Sequence, residues 1–397
     1  MNAENENNLV QPAVRAQRVE NYYFSDKLQQ LELMRSQGAK VINLGIGSPD
    51  LPPHPAVIEK LSASAADPFN HGYQSYKGTN ALREAFASWY KRKFDVGLDY
   101  KSEILPLMGS KEGIMHISLA FLDLGDQVLI PDPGYPTYSA VCKIVGAQPV
   151  YYELEAENNW MPDLKALANN DLSKVKLMWV NYPHMPSGAT ATKVFFEELI
   201  AFGKQHHILI CNDNPYALIL NETPLSILST EGSKTIALEL NSLSKSHNMP
   251  GWRMGMVCGH QNYINQILKI KSNMDSGMFK PLQDAAVEAL MLDENWTADL
   301  NMIYADRKRV VQQIYDAIGC SYEPNQSGLF VWAKIPAHFP SAELLSEWIL
   351  HETEVFITPG FIFGKQGRNY LRISLCCNKK QLLEALIRIE NLMKSRV

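Results

Sequence analysis

Short apolar segments alternate with amphipathic segments through the middle of the chain, and this alternation restricts the fold more than any other feature. The apolar segments are 127–131, 149–154, 175–183, 208–216, 235–245 and 255–260. Segments of helical periodicity, such as 137–146 and 192–207, lie between them. Apolar strands separated by helices predict an α/β domain whose mostly parallel sheet is covered on both faces. Ligands of such sheets bind at the carboxyl ends of the strands.

The regions on either side of this domain have different patterns. Helical periodicity is found at 22–38, 81–94 and 111–124, with a short strand near residue 42, and a long helical tract runs from about residue 262 to 318. The strands "GLFVWAKI" and "NYLRISL" and a closing amphipathic helix predict a smaller α+β domain. We assign residues 1–50 to an arm, frayed ahead of Tyr22, and part of the small domain, 51–290 to the large domain and 291–397 to the small C-terminal domain.

Composition excludes several classes of protein. With 397 residues, 46% of them hydrophobic and 20% charged, the chain has a globular composition. A net charge of -5 disfavours a nucleic-acid partner. No apolar run resembles a signal peptide or a membrane span, so we expect no membrane association and a cytoplasmic location. Six cysteines without zinc-ligand spacing indicate reduced thiols, no disulfide framework and no metal site.

Polar residues follow several of the predicted strands. Asp213 and Tyr216 end one apolar segment, and Lys245 ends another together with Ser242 and Ser244. Ser110 and Lys111 begin a predicted helix directly after Gly109. Since the scaffold fixes the direction of residues at strand ends while the loops leave a crevice, we expect these side chains to form a buried site.

Lys245 is the most informative of these residues. A desolvated lysine beside another cation loses its proton readily and can form a Schiff base with a carbonyl cofactor. A pyridoxal ring needs a carboxylate at its ring nitrogen, and its phosphate needs backbone N–H groups at a helix start and an arginine. Asp213, the segment "GSKEG" from Gly109 and Arg253 are candidates for these three functions.

The segment "NSLSKSHNMPGWRMG", residues 241–255, resembles the lysine segment of the class I/II aminotransferases, which are fold-type I pyridoxal phosphate enzymes. The resemblance extends from about Ile42 to the C-terminus. It implies a Schiff base at Lys245, with Ser242, Ser244 and Arg253 as phosphate ligands. The segments "NYYFSDKL", "LGIGSPDLPP" and "YQSYKG" most resemble the diaminopimelate and broad amino-acid members of the family.

The resemblance implies further roles for individual residues. These are Asp213 at the ring nitrogen, Tyr216 at the ring oxygen, Ser110 and Lys111 at the phosphate, Tyr135 on the ring face, Tyr73 at the phosphate of the neighbouring subunit, Arg372 at the substrate α-carboxylate, and Gly45 beside the substrate. Tyr73 thus implies a homodimer with shared sites.

One position departs from the family. Where the family usually has an asparagine that hydrogen-bonds the ring oxygen, "NYPHMPSG" has Met185, which cannot donate that bond. The oxygen is left to Tyr216 alone, or to Tyr216 with His184 or Asn181. A missing donor disfavours the deprotonated Schiff base, and we therefore expect Lys245's Schiff base to titrate at a higher pH than in relatives with asparagine.

The predicted function is transfer of an amino group between an amino acid and a 2-oxo acid in two half-reactions of a ping-pong cycle. A β-lyase on the same scaffold and a non-catalytic protein remain alternatives, because reaction choice depends on bond orientation rather than on the lysine set. Residue-level alternatives also remain. Arg372 could be a structural ion-pair partner, Tyr73 and Tyr135 ordinary aromatics, and Ser110, Lys111 or one of Ser242 and Ser244 helix caps.

Overall fold

The computed structural model describes residues 10–17, 19 and 23–395. The arm that we predict ahead of Tyr22 lies largely outside them. The α-helices are α1 Val14–Gln17, α2 Tyr23–Ser36, α3 Pro55–Ala66, α4 Asn80–Phe94, α5 Ser110–Phe121, α6 Pro136–Val145, α7 Leu164–Ala168, α8 Lys193–His206, α9 Leu243–Ser246, α10 Gln261–Lys271, α11 Lys280–Met291, α12 Glu294–Ile318, α13 Ala342–Thr353 and α14 Lys379–Lys394. The strands are β1 Ile42–Asn43, β2 Ile104–Leu107, β3 Gln127–Asp132, β4 Gln148–Glu153, β5 Val175–Val180, β6 Leu209–Asp213, β7 Ala237–Ser242, β8 Gly255–Gly259, β9 Ser321–Tyr322, β10 Phe330–Lys334, β11 Val355–Phe356, β12 Thr358–Pro359 and β13 Tyr370–Ser374.

A seven-stranded sheet forms the centre of the molecule, in the order β2-β8-β7-β6-β5-β3-β4. Strands β3 to β7 pair in parallel, whereas β8 runs antiparallel to both of its neighbours. The mostly parallel α/β sheet is therefore confirmed. The sequence pattern did not predict β2, a four-residue edge strand that contains Pro106, a residue that disfavours strands.

Two predicted segments are interrupted in the structure. Strand β7 stops at Ser242, whose hydroxyl accepts a hydrogen bond from the Ser244 N–H at 3.2 Å, so that Lys245 lies on the short helix α9 rather than on a strand. The helical tract from residue 262 to 318 is divided into α10, α11 and α12. Gly277, at φ +86°, lies against the Gln74 carbonyl and separates the first two helices.

A smaller antiparallel sheet, ordered β12-β13-β10-β9, is built from the C-terminal part of the chain. Arg372 on β13 lies opposite Trp332 on β10 and Thr358 on β12. Strand β1 pairs in parallel with β11, which brings the residues that follow Ile42 beside this sheet. The predicted α+β unit is thus present, while the domain limits at residues 50 and 290 stay a prediction.

The loop at residues 360–367 joins the two sheets beside the carboxyl end of β3. The buried Asp132 carboxylate accepts the Lys365 and Gln366 N–H groups, each at 3.1 Å. The Gly134 N–H donates to the Phe363 carbonyl at 2.8 Å. These bonds hold the loop close to Tyr135, the residue that precedes α6.

None of the helices in the described ranges is both long enough and apolar enough to cross a lipid bilayer.

Candidate active site

A cleft of about 620 Å³ opens at the carboxyl ends of β6 and β7. The structure brings together in this cleft the predicted residues Ser110, Lys111, Tyr135, Asp213, Tyr216, Ser242, Ser244, Lys245, Arg253 and Arg372. Gly45 lies beside it, since its carbonyl accepts a hydrogen bond from Arg372 Nη2 at 2.7 Å. Tyr73 is the predicted site residue that the structure does not bring to the cleft of its own chain.

Lys245 projects into the cleft from α9. Its Nζ donates to the Gly47 carbonyl at 2.6 Å, which links α9 to the loop that follows β1. Burial lowers the pKa of the ammonium group. Arg372 and Arg253 lower this pKa further, whereas the Cys376 thiol and Asp213 oppose the shift. The side chain is therefore a buried amine that gives up its proton more readily than an exposed lysine does.

Asp213 is the last residue of β6 and lines the cleft. Its Oδ2 accepts the Tyr138 hydroxyl at 3.0 Å, and the Tyr138 ring stacks on Trp179. Its Oδ1 is buried and has no hydrogen-bond partner among the residues that the structure describes. Burial raises the pKa of the carboxyl group to about 6, although the Tyr138 and Ser110 hydroxyls and the charge of Lys245 oppose the shift.

A loop that precedes α5 borders the cleft near Arg253. The Met108 N–H donates to the Glu112 carboxylate at 2.5 Å, and the Met108 carbonyl accepts Arg253 Nη2 at 3.2 Å. A Cβ atom at Gly109 would collide with the Arg253 guanidinium, so only glycine permits this approach. The buried Ser110 hydroxyl, at the start of α5, finds no partner within the described part of the chain.

The two serines of the lysine segment differ in their contacts. The Ser242 hydroxyl caps α9 and donates to Ser244 Oγ at 2.9 Å. Both side chains line the cleft beside Lys245. Ser242 therefore has the capping contact that the sequence left as an alternative, and it also reaches the site.

Arg372 is buried between aromatic rings. The centre of its guanidinium lies 4.0 Å from the ring centroid of Phe330 and 4.6 Å from that of Phe363. The side chain also lines the cleft, and the alternative of a structural ion pair stays a prediction.

Met185 lies against this arginine, with its sulfur accepting Arg372 Nη1 at 3.4 Å. His184 is not a replacement for the missing asparagine, because its ring nitrogens contact the Ser187 hydroxyl at 2.7 Å and the Pro133 carbonyl at 3.1 Å. Asn181 does line the cleft, but its amide donates to the Asp213 carbonyl and its oxygen accepts the Met185 N–H. Tyr216 lines the same cleft and carries a hydroxyl that can donate a hydrogen bond.

Sequence reasoning missed several residues of the cleft, namely Phe24, Leu28, Ile46, Gly47, Tyr138, Pro215, Pro250, Phe330 and Phe363. Three of them had a signal in the sequence. Tyr138 is one helical turn after Tyr135, and Phe24 and Leu28 are spaced i, i+4 on one face of α2. The others depend on contacts between segments that are distant in the chain.

Tyr73 lies on the surface, with 93% of its side chain exposed. Phe69 and Tyr76 of the same segment, and Phe279 of a segment that touches it, are also exposed and form an apolar patch with Tyr73. The His71 and Phe279 rings approach within 5.8 Å, and Gly277 lies against Gln74, so these residues come from loops that touch. Met108 is exposed as well, and its carbonyl accepts Arg253 Nη2 at the edge of the cleft.

Three potential metal ligands, Glu112, His116 and Asp275, come together beneath the Met108 loop. Each has protein partners. Glu112 binds the Met108 N–H and contacts His116 at 3.0 Å, while Asp275 pairs with Lys271 at 2.6 Å and accepts the Gly277 N–H. The cluster is a hydrogen-bonded support of the loop and does not overturn the expectation that there is no metal site.

Residues 39–389 match the family model described as aminotransferase class I and II. LL-diaminopimelate aminotransferase of Aquifex aeolicus is 39% identical over 94% of this chain and 96% of its own, and the enzyme of that name from Maridesulfovibrio salexigens is 42% identical over 90% and 92%. The solved structure of apo BacF from Bacillus subtilis superposes with a TM-score of 0.93 at 34% identity, and covers 97% of this chain and 98% of BacF.

The chain therefore belongs to the class I and II aminotransferase family. It is a pyridoxal phosphate-dependent aminotransferase of fold-type I, as its sequence predicts.

The buried Asp213 carboxyl gives a prediction about stability. Because its folded pKa of about 6 lies above the usual aspartic acid pKa of 3.8, ionisation of the buried group costs stability as the pH rises from about 4 to above 6. We expect Asp213→Asn to stabilise the cofactor-free protein by roughly 1–3 kcal/mol at pH 8 and by little at pH 4. Urea unfolding at both pH values measures this difference. Asp299→Asn, at an exposed site on α12, is the control, and a gain for Asp213→Asn that does not grow with pH would contradict the argument.

Proposed function

We propose that Lys245 holds the cofactor covalently until the substrate amine replaces it, which frees the Lys245 amine, and that Asp213 pairs with the ring nitrogen of the cofactor. The observation that carries the proposal is the burial of this amine and this carboxylate in one cleft that also contains Arg253 and Arg372. When bound, pyridoxal phosphate supplies an electron-poor ring that withdraws electrons from the substrate Cα.

Two unpartnered buried atoms support this placement. Asp213 Oδ1 can accept a hydrogen bond from a protonated ring nitrogen, and that cation would favour the ionised carboxylate that burial alone disfavours. The Ser110 hydroxyl lies at the start of α5, where N–H groups and the helix dipole favour a phosphate. Arg253, Ser242, Ser244 and Lys111 complete the phosphate end.

The remaining residues act on the substrate and on the ring. Arg372 binds the α-carboxylate through its planar fork, with Gly45 beside the substrate, and orients the Cα–H bond toward Lys245. Lys245, with its lowered pKa, accepts the Cα proton and returns it on the cofactor side. Tyr135 packs on the ring face and Tyr216 donates to the ring oxygen. A 2-oxo acid leaves, and a second 2-oxo acid takes up the amino group in the reverse sequence.

Absorption spectroscopy of the cofactor-loaded protein tests this function directly. Single amino acids are added without any 2-oxo acid, and we expect the aldehyde-form band to convert to the amine form as the matching 2-oxo acid appears. A band that persists while ammonia and pyruvate form would identify a β-lyase. A protein with no cofactor band at all would contradict the assignment of Lys245.

We further propose a homodimer in which Tyr73 reaches the phosphate of the partner's cofactor. The exposed apolar patch supports this proposal, because exposed apolar surface of this kind is typical of protein contacts. Tyr73's absence from the cleft of its own chain agrees with a role across a two-fold axis.

Mixing two impaired variants tests the shared site. If Lys245→Ala and Tyr73→Ala subunits exchange, each mixed dimer has one site with both groups intact, and activity should recover to about a quarter of wild type. The subunits are exchanged by brief unfolding and refolding. Activity assays then measure the recovery, and sedimentation measures the oligomeric state of the mixture. Tyr151→Ala, at an exposed tyrosine of edge strand β4, replaces Tyr73→Ala in the control mixture. A mixture whose activity stays at the sum of its parts would exclude sharing.

Met185 gives a prediction about pH. Because Tyr216 is the donor that remains for the ring oxygen, the cofactor-loaded protein should change its absorption band at a higher pH than Met185→Asn, whose amide adds a donor. Spectral titration of both proteins measures the two midpoints, and Met185→Leu, which adds no donor, is the control. Equal midpoints for the wild type and Met185→Asn would discard the idea.

We propose a cytoplasmic location as well. All six cysteines are unpaired in the structure, as expected of a reducing compartment.

A further inference from the structure

The part of the cleft around Arg372 is apolar. Phe24 and Leu28 come from α2, Ile46 from the loop after β1, Phe330 from β10 and Phe363 from the loop at 360–367. Leu28 and Ile46 retain exposures of 39% and 37% although they line the cleft. An apolar ligand group would remove this exposed surface from water, which is favourable.

The charged side chains among the described residues of the cleft are Lys111, Asp213, Lys245, Arg253 and Arg372. In the proposed function each of them is assigned to the cofactor or to the α-carboxylate. None remains for a charge at the far end of a substrate. The arm that the proposed dimer would bring to its partner, residues 71–78, contains tyrosines and a lysine but no carboxylate.

Diaminopimelate, after which the relatives are named, has an ammonium and a carboxylate at its far end. Burying these groups without partners costs free energy, and an ammonium in particular needs a carboxylate or carbonyls. The Met185 thioether beside Arg372 adds another soft, weakly polar surface where an amide would offer hydrogen bonds.

We propose that the side-chain subsite accepts an apolar or aromatic amino acid in preference to diaminopimelate or to a dicarboxylic amino acid. The inference rests on the proposed function, since it uses Arg372 as the α-carboxylate ligand and thereby fixes the direction in which the substrate side chain points. Phe24, Leu28, Ile46 and Phe330 then form the specificity-determining wall.

Half-reactions of the cofactor-loaded protein with phenylalanine, leucine, glutamate and LL-diaminopimelate test the proposal. We expect phenylalanine or leucine to convert the absorption band with a second-order rate constant at least about tenfold above those of glutamate and diaminopimelate. A faster reaction with either charged donor overturns the inference and leaves the proposed function intact. If no amino acid converts the band, the proposed function itself fails.

Calorimetry with non-reacting carboxylates gives a readout that does not depend on turnover. 3-Phenylpropanoate should bind at least about tenfold more tightly than glutarate, because the two acids differ in the group that meets the apolar wall. Glutarate binding as tight as that of 3-phenylpropanoate would overturn the inference.

A variant that introduces a negative charge into the wall tests the placement of the subsite. Leu28→Glu places a carboxylate where the far ammonium of diaminopimelate would lie, and should raise the rate ratio of diaminopimelate to phenylalanine at least about tenfold. Leu33→Glu introduces the same charge on α2 at a residue that is 59% exposed and does not line the cleft. Equal ratios in these two variants would contradict the placement of the side-chain subsite.

Discussion

Lys245→Ala should lose the covalent bond to the cofactor and reduce amino transfer by a factor on the order of 10⁴, the upper range for removal of a positioned proton-transfer group. The structural reason is that Lys245 is the amine that α9 directs into the cleft, where burial and two arginines lower its pKa. Borohydride reduction of the loaded protein, followed by peptide mass analysis, should mark the peptide that contains Lys245. The variant should yield no marked peptide.

Lys111→Ala is the informative comparison, because Lys111 is the other lysine of the cleft. It should weaken cofactor binding and still show the marked Lys245 peptide. A mark on Lys111 in the wild-type protein, or full transamination by Lys245→Ala, would overturn the assignment.

Arg372→Lys should lower kcat/KM by roughly 10²–10³-fold, since removing one partner of a buried charge pair costs about 2–5 kcal/mol. Lysine keeps the positive charge but loses the planar fork that matches a carboxylate. The cofactor absorption band should remain unchanged, because the guanidinium contacts Gly45 and the aromatic rings rather than the cofactor end of the cleft.

Steady-state and single half-reaction kinetics separate the two possible roles of Arg372. If Arg372 binds the substrate, Arg372→Lys should raise the half-saturating concentration of every amino acid. It should weaken the binding of analogues that lack the α-carboxylate less than it weakens the binding of amino acids. Normal kinetics combined with a lower melting temperature would instead make Arg372 a structural residue.

The alternation of strands and helices predicted the central sheet because β3, β5, β6 and β7 are apolar runs that are mostly buried. The antiparallel direction of β8 could not be predicted, since strand direction depends on the length and path of the connection from Lys245 to Gly255. The pattern also placed Lys245 on a strand. The Ser242 cap, which ends β7 three residues earlier, is a local hydrogen bond that apolar periodicity does not detect.

The sequence likewise predicted only part of the candidate site. Asp213, Lys245 and Arg253 were predictable because each lies in a short segment with distinctive neighbours. The wall formed by Phe24, Ile46 and Phe330 was not, because these apolar residues look like core residues in the sequence and meet only through the tertiary fold. A resemblance can thus identify the chemistry of a cleft while the choice of substrate side chain depends on packing.

The loop at residues 360–367 restricts motion of the small sheet relative to the large sheet. Two backbone N–H groups bind the buried Asp132 carboxylate, and Phe363, in the same loop, covers Arg372. Opening the cleft at this point would leave a buried carboxylate without its donors, which is costly. Any rotation of the small sheet against the large one should therefore pivot about Asp132, and α2, whose Tyr23 ring lies 5.5 Å from Phe361 of this loop, should move little.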